Sequence, residues 1–284
     1  MANIRLIKNR IKSARSISQI TKAMELVAAS KMRKAQAAAI AGKLYATKIR
    51  DMVGVLSART DVSNHPLLSE PKPGKKRLVI LVSSNKGLCG GLNTNLFRFT
   101  LREYQNMNDC IFVSLGKKGA HFIAQVHGEL KADFSEHSPF VASVPAVTDL
   151  LTSEYLAGNI SGVDLVYSEF ISALTQKPVK KSILPLAMKD IAATSTLPTG
   201  EFIIEPSVAE VFNVLLPHYL ENQVRDAVLQ AEASLQSATM VAMRNATDNA
   251  QSFMEELTLL YNKARQEKIT YEISDMVTAR LATE

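Results

Sequence analysis

The last quarter of the chain, residues 207–281, reads as a single uninterrupted helix. It contains no glycine and only one proline, Pro217, and good helix formers dominate it. Ser207 followed three residues later by Glu210 has the capping-box pattern, which predicts the helix start. A helix of about 75 residues would be on the order of 110 Å long, which is too long for a compact domain of this size.

Apolar or alanine side chains form one stripe along this segment, at spacings of three and four. They are Val224, Val228, Ala231, Leu235, Ala238, Ala242, Ala246, Ala250, Phe253, Leu257, Leu260 and Ala264. Charged residues interrupt the stripe too often for a membrane span, which needs about 18 consecutive apolar residues. A second helix must therefore lie along this one.

The first 57 residues can supply that second helix, because they follow a strict three-four alternation. The seam comprises Ile4, Ile7, Ile11, Ala14, Ser18, Thr21, Glu25, Ala28, Met32, Ala35, Ala39, Gly42, Ala46, Ile49, Val53 and Leu56. A second stripe of Ile17, Ile20, Met24 and Val27 predicts that the middle also packs against something besides its partner helix. Antiparallel pairing of residue 57 with residue 207 would place Met24 near Thr239 or Met240 and leave roughly 20 C-terminal residues unpaired.

The middle of the chain alternates strand and helix patterns, which predicts a small α/β sheet with crossover helices. Predicted strands are 78–83, 111–115, 164–168, 179–186 and 201–205, with 179–186 antiparallel. Predicted helices run from the end of the loop 85–93 to about residue 107, from 117 to 126 and from 146 to 157. Residues 128–144 are turn-rich. The expected domains are an N-terminal coiled-coil helix at 1–59, a Rossmann-like α/β domain at 75–206 and a C-terminal coiled-coil helix at 207–284.

Positive charge is concentrated at the N-terminus. The formal net charge is +6, whereas residues 1–50 contain twelve lysines and arginines against one glutamate. This charge fits a solvated helix face, or a basic rod that faces an acidic partner such as nucleic acid or a protein. Two cysteines suit a reducing compartment, and neither a signal peptide nor a membrane span is expected.

No catalytic, cofactor or metal site is predicted. The loop with Gly87, Gly90 and Gly91 follows a strand and precedes a helix, as phosphate-binding loops do, but it matches neither the Walker nor the dinucleotide pattern. The acidic residues show no paired spacing for acid–base work, and the five histidines show no ligand spacing.

Three stretches closely resemble the gamma subunit of F-type ATP synthases. They are residues 20–32 (ITKAMELVAASKM), residues 86–93 (KGLCGGLN), and residues 243–250 (MRNATDNA) continuing into 256–266 (ELTLLYNKARQ). The resemblance implies a central rotor shaft whose terminal helices form an antiparallel coiled coil inside a hexamer of alpha and beta subunits. It places the α/β domain on the membrane ring of c subunits beside the epsilon subunit, peripheral to the cytoplasmic face of the bacterial inner membrane, with catalysis on the beta subunits.

The resemblance also implies roles for individual residues. Arg265 and Gln266, with Thr270 nearby, would hydrogen-bond to a beta-subunit loop. The face that passes the acidic lever of the beta subunit would comprise Met24, Lys22, Lys31 and Arg33. The foot that meets the c ring would comprise Phe202, Ile204 and Glu205.

Two features of the chain bear on how well it fits the gamma-subunit pattern. Pro217 should kink the C-terminal helix or mark its true start. The long cysteine insertion of the chloroplast relatives is absent, so thiol control of that kind is not expected.

Two alternative functions remain. One is a basic coiled-coil nucleic-acid-binding protein, although this chain lacks the interleaved aromatic residues expected of a base-stacking surface. The other is a nucleotide-binding enzyme that uses the Gly87 loop.

Overall fold

The structure is a computed structural model that describes residues 4–57, 66–68, 75–136, 139–186, 204–205 and 207–281. It divides into two compact units, one formed by Met1–Ala29 with Thr239–Glu284 and the other by Ser30–Ala238. Two long helices, α1 (Ile4–Ser57) and α5 (Val208–Leu281), contribute to both units. Their presence confirms the predicted long terminal helices.

The first unit is an antiparallel pair of helices. Ile7 near the start of α1 packs with Leu257 and Ala264 of α5, whereas Thr21 lies opposite Thr247. Residue numbers rise along one helix as they fall along the other, which is the predicted antiparallel arrangement. The predicted register is wrong by about one helical turn, because the Thr21–Thr247 pair places Met24 near residue 244 instead of 239 or 240.

Burial along the two helices follows the predicted periodicity closely on α1 and less closely on α5. None of the predicted seam positions of α1 is exposed. On α5, Phe253 and Leu260 of the predicted stripe are about half exposed, whereas Met254 and Tyr261 are partly buried. At these two places the more buried residue is the one that follows the predicted position. Neighbouring residues are both apolar there, so the three-four spacing alone does not show which of them faces α1.

The second unit contains a five-stranded sheet in the order β3-β2-β1-β4-β5. The strands are β1 (Lys76–Val82), β2 (Cys110–Leu115), β3 (Glu129–Asp133), β4 (Ile160–Phe170) and β5 (Gln176–Leu184). The first four run parallel and β5 pairs antiparallel with β4, as predicted for that segment. The connecting helices are α2 (Leu92–Glu103), α3 (Lys117–Gln125) and α4 (Val144–Leu156).

Helices cover both faces of this sheet. On one face, Val79 and Leu81 of β1 pack with Leu96 of α2 and Phe122 of α3. On the other face, Leu78 and Ile80 pack with α4 and with the parts of α1 and α5 that belong to this unit. Because β1 and β2 are buried on both faces, they read as continuous apolar runs in the sequence.

Strand β3 lies in the stretch predicted to be turn-rich, so that prediction is wrong there. Its sequence, ELKAD, has few β-forming residues, and it is an exposed edge strand held by pairing with β2. The predicted strand at 201–205 falls mostly outside the described residues, and the described Ile204 and Glu205 are not in a strand.

Pro217 lies inside α5 and does not mark the helix start, which corrects one of the two predictions for it. The helix begins at Val208, where the Ser207 hydroxyl accepts a hydrogen bond from the Glu210 N–H at 3.2 Å. A proline inside a helix costs about 3 kcal/mol or more. Phe212, Leu216 and Leu220 on either side of Pro217 are buried in the core, and their burial offsets that cost.

Candidate interaction surfaces

The C-terminal part of α5 is exposed beyond Ala264. Ala264 is buried, and every residue of 265–281 is exposed. The segment includes Arg265, Gln266 and Thr270, for which the resemblance implies a contact with another subunit. The Thr270 hydroxyl donates a hydrogen bond to the Gln266 carbonyl at 3.0 Å, so Thr270 satisfies its own polar group within the helix. The structure therefore leaves this segment available to a partner.

A pair of threonine hydroxyls joins the two helices of the first unit. The oxygens of Thr21 and Thr247 lie 2.7 Å apart, and Thr247 also lies 2.9 Å from the Met243 carbonyl. Because each hydroxyl has one proton, one consistent arrangement has Thr21 donating to Thr247 and Thr247 donating to the Met243 carbonyl. This pair was not among the sequence-predicted site residues.

The residues assigned to the lever-facing surface lie on or near this helix pair, with different degrees of burial. Met24 is partly buried, and Lys22 is exposed, with its amine 3.0 Å from a Glu25 carboxylate oxygen. Lys31 and Arg33 are exposed and belong to the second unit.

Apolar side chains of the second stripe on α1 are exposed as well. Ile17, Ile20 and Val27 are each more than half exposed. Single exposed apolar residues are ordinary on protein surfaces, but these three recur on one face of one helix. Their arrangement marks the face of α1 that this chain itself does not cover.

The predicted foot is described only in part. Phe202 lies outside the described residues, Ile204 is partly buried against the core of the second unit, and Glu205 is exposed. Ile204 therefore contributes to the fold of this chain, whereas Glu205 presents its carboxylate to the surroundings.

The glycine-rich loop after β1 is closed by its own side chains. The Ser84 hydroxyl donates to the Lys86 carbonyl at 2.6 Å, and the Asn93 amide donates to the Ser84 hydroxyl at 2.7 Å. The nearby cavity, lined in part by Ala231 and Leu235 of α5, measures about 10 Å³. That volume suits about one water molecule and not a phosphate group.

A buried ionic network at the other end of the sheet was missed by sequence reasoning. Asp164 of β4 is fully buried and accepts two hydrogen bonds from the Arg77 guanidinium, at 2.6 and 2.7 Å. The Tyr104 hydroxyl donates to the same carboxylate at 2.8 Å. The hydrogen bond to Asp164 raises the pKa of Arg77, and burial is the main cause of the raised pKa of Tyr104.

The same network affects Cys110 at the start of β2. Burial is the largest cause of the raised pKa of its thiol, about 11, and the charges of Asp109 and Asp164 add to it. The four residues come from separate parts of the sequence and carry no shared motif, so no sequence signal could have grouped them. Saturated hydrogen bonds around Asp164 indicate a structural role and not an acid–base site.

In the described part of the chain, no helix is long and apolar enough to cross a bilayer. The same residues contain no group of three or more histidine, cysteine, aspartate or glutamate side chains that could hold a metal ion.

Comparison with known proteins gives matches over nearly the whole chain. The family model described as ATP synthase matches residues 3–282. A protein of Dehalococcoides mccartyi named ATP synthase gamma chain is 41% identical over 285 residues, covering 98% of each chain. One of the same name from Opitutus terrae is 40% identical over 296 residues, covering 99% of each chain.

Solved structures show the same fold. The rotor of the Euglena gracilis mitochondrial ATP synthase contains a chain that matches with a TM-score of 0.65 and 20% identity, covering 94% of this chain and 98% of its own length. A chain of the Tetrahymena thermophila central stalk and c ring matches with a TM-score of 0.59 and 24% identity, covering 80% of this chain and 99% of its own.

Proposed function

The chain belongs to the ATP synthase gamma chain family, and from this premise we propose that it is the central-stalk rotor subunit of an F-type ATP synthase. In that role it couples ion flow through the membrane c ring to ATP synthesis or hydrolysis in the alpha–beta hexamer. The names of its relatives give no support to the alternative of a nucleic-acid-binding coiled coil.

The observation that carries this proposal is the exposed C-terminal segment of α5. This segment, residues 265–281, is exposed throughout, and its Ile269, Ile273 and Met276 present apolar surface to water. Such surface is typical of a segment that is covered in an assembly. A collar formed by the alpha and beta subunits would cover it.

The rotor–stator contacts follow from the exposed side chains. Arg265, Gln266 and Thr270 would meet the beta-subunit loop, because a guanidinium pairs bidentately with a carboxylate. A second surface, comprising Met24, Lys22, Lys31 and Arg33, would pass the acidic lever of the beta subunit. The exposed stripe of Ile17, Ile20 and Val27 supports a partner on α1 in addition to α5.

The foot would lie at the start of α5. Glu205 is exposed just before Val208 and would face the polar loops of the c ring, together with Phe202 and Ile204, and the epsilon subunit would bind beside it. The three segments 1–59, 75–206 and 207–284 would then act as N-terminal shaft helix, foot domain and C-terminal shaft helix. The bacterial origin of the relatives favours the cytoplasmic face of the inner membrane over the mitochondrial matrix.

This subunit would not itself be catalytic and would need no cofactor. The closed glycine-rich loop and the saturated Asp164 network support this, because neither offers a reacting group to a substrate. ATP chemistry would take place on the beta subunits.

The test is a double variant, Arg265→Ala with Gln266→Ala, in a reconstituted complex of alpha, beta and this chain. A charge-assisted hydrogen bond contributes roughly 1.5–3 kcal/mol. If the bond forms in one rotary position only, its loss changes the barrier between positions, and ATPase turnover should change by up to roughly tenfold to a hundredfold. Circular dichroism should show unchanged helicity, since alanine is the better helix former.

The matched control is Lys268→Ala with Glu272→Ala. These residues form an exposed ion pair at 3.4 Å on the same segment, so the control removes the same number of side chains. We expect turnover close to that of the unmodified complex. Unchanged turnover for the Arg265 and Gln266 variant, with normal assembly, would contradict the proposed contact.

A further inference from the structure

The second unit contains a polar cavity that the shaft function does not use. It has a volume of about 400 Å³ and is lined by residues from α1, β4, β5 and α5. This volume lies within the usual range of small-molecule sites, about 300–1,000 Å³. Four charged side chains line it, Arg50, Lys181, Glu169 and Asp226, together with the amides of Asn222 and Gln223.

Both cations at this cavity have unused hydrogen-bonding capacity. Lys181 lies on β5 and is partly buried, and burial lowers the pKa of its amine. Among the described residues, none forms a hydrogen bond or ion pair with that amine. The buried Nε of Arg50 also lacks a hydrogen-bond partner. A buried donor without a partner is costly, so an acceptor added near the Arg50 Nε would be favourable, and the partly exposed Lys181 amine can bind the same acceptor.

Two carboxylates share the cavity without neutralising these cations directly. The charges of Asp226 and Glu169 raise the pKa of Lys181, against the effect of burial, so both acids act on the amine across the cavity. Neither acid forms an ion pair with Lys181 or Arg50 among the described residues, whereas a terminal nitrogen of Arg50 lies 3.6 Å from a carboxylate oxygen of the buried Asp51. The lining of the cavity therefore contains two cations and two carboxylates, and the charge of Arg50 is partly balanced by Asp51 from outside the lining.

This charge pattern selects among ligands. A simple anion would be attracted by Lys181 and Arg50 but repelled by Glu169 and Asp226. A simple cation would be attracted by the two acids and repelled by the two bases. A molecule with both charges can satisfy all four groups, and the neighbouring amides of Asn222 and Gln223 can bind a further polar group. We propose that this cavity is a binding site for a small zwitterion of the free amino acid class, independent of the shaft function.

L-Glutamine is a suitable probe because two of its analogues each lack one charge. Glutaramate has no ammonium group and 4-aminobutanamide has no carboxylate. Titration calorimetry on the full chain should give saturable binding of L-glutamine and at least tenfold weaker binding of each analogue. Occupancy should also slow the acylation of Lys181, which mass spectrometry of labelled peptides measures residue by residue.

The variant Lys181→Gln removes the positive charge and should weaken L-glutamine binding at least tenfold. Lys118→Gln is the matched control, since Lys118 is exposed on α3 and does not line the cavity. Should Lys181→Gln lose helicity, Asp226→Asn tests the same cavity, and we expect it to lose the preference for L-glutamine over glutaramate. No saturable binding at millimolar L-glutamine, equal binding of glutaramate, or unchanged binding by a folded Lys181→Gln chain would each overturn the proposal.

Discussion

At the residue scale, two small groups of polar side chains hold separate parts of the chain together. Thr21 and Thr247 link the terminal helices of the first unit, and Asp164 joins Arg77 and Tyr104 in the second. Neither group has spare capacity for chemistry. Polar contacts of this kind specify one arrangement among several that apolar packing would allow, as in coiled coils whose register depends on a polar residue.

We expect the threonine pair to contribute a measurable coupling energy. Thr21→Val and Thr247→Val keep the side-chain shape and remove the hydroxyl, so a double-mutant cycle in urea should give roughly 0.5–1.5 kcal/mol between them. Thr278→Val is the control, because its hydroxyl bonds only to the Ser274 carbonyl within its own helix. A coupling energy indistinguishable from zero would mean that apolar packing alone sets the register.

The raised pKa of Cys110 predicts a loss of stability at alkaline pH. The thiol ionises near pH 9 when unfolded and near pH 11 when folded. The folded state therefore holds its proton more strongly, so the stabilisation is complete below pH 9 and is lost as the pH rises to about 11. The free energy of unfolding should fall over this window, and Cys110→Ala should reduce that slope.

The control for this pH dependence is a variant that loses buried volume from the same strand but keeps the Cys110 thiol. Val113→Ala removes buried apolar volume from the same strand, so it should lower the free energy of unfolding at every pH without changing the slope. Tyrosines with a raised pKa, such as Tyr167, begin to add to the slope as the pH nears 10.0, their ordinary value, so the slope close to pH 9 is the diagnostic one. An unchanged slope in Cys110→Ala would show that the Cys110 thiol does not cause this pH dependence.

At the element scale, α5 combines two different environments in one helix. Its first part is buried against the sheet through Leu216, Leu220 and Val224, whereas residues 265–281 are exposed throughout. Burial sustains the helix around Pro217 despite the lost hydrogen bond. The last turns depend on intrinsic propensity and on continuity with the preceding turns, because no side chain there is buried.

Truncation after Ala264 should therefore leave the fold intact. We expect the unfolding midpoint in urea to stay unchanged, while the helical signal decreases by the contribution of the removed residues. Circular dichroism measures both quantities on the full and the truncated chain. A truncation after Thr247, which also removes Leu257 and Ala264 from their contact with Ile7, should instead lower the stability of the helix pair. A lowered unfolding midpoint after truncation at Ala264 would mean that the removed residues make stabilising contacts despite their exposure.

At the scale of the whole molecule, the α/β unit keeps the architecture of a nucleotide-binding fold without its binding site. Its sheet reverses strand order between β1 and β4, which is where ligands bind in open α/β sheets. Here Ala231 and Leu235 of α5 line the small remaining space. Fold alone does not imply a nucleotide function.

The isolated chain should accordingly neither bind Mg-ATP tightly nor hydrolyse it. The loop has no lysine in the phosphate-binding position, and its polar groups already bond to one another. Calorimetry with the purified chain should show no micromolar binding. Gly90→Ala is the informative variant, since Gly90 has a φ of 58° that a side chain disfavours. Micromolar binding that this variant abolished would favour the enzyme alternative over the shaft.

The sequence by itself determined the helices and strands whose apolar residues recur at a regular spacing. The seam of α1 and the apolar runs of β1 and β2 all follow from periodicity, because side-chain direction is set by backbone geometry. The resemblance of three short motifs named the family, but the roles of Arg265, Gln266 and Glu205 stay predictions. These roles depend on partners outside the chain.

Only the tertiary structure decided the features that join distant residues. The helix register differs from the predicted one by about one turn, since the hydroxyl pair of Thr21 and Thr247 and the packing around Ile7 choose among near-equivalent alignments. Strand β3 forms because β2 offers an edge to pair with, although its own residues include few β-formers. The Asp164 network and the cavity at Lys181 arise where strands and helices from distant parts of the chain meet, so no local sequence pattern specifies them.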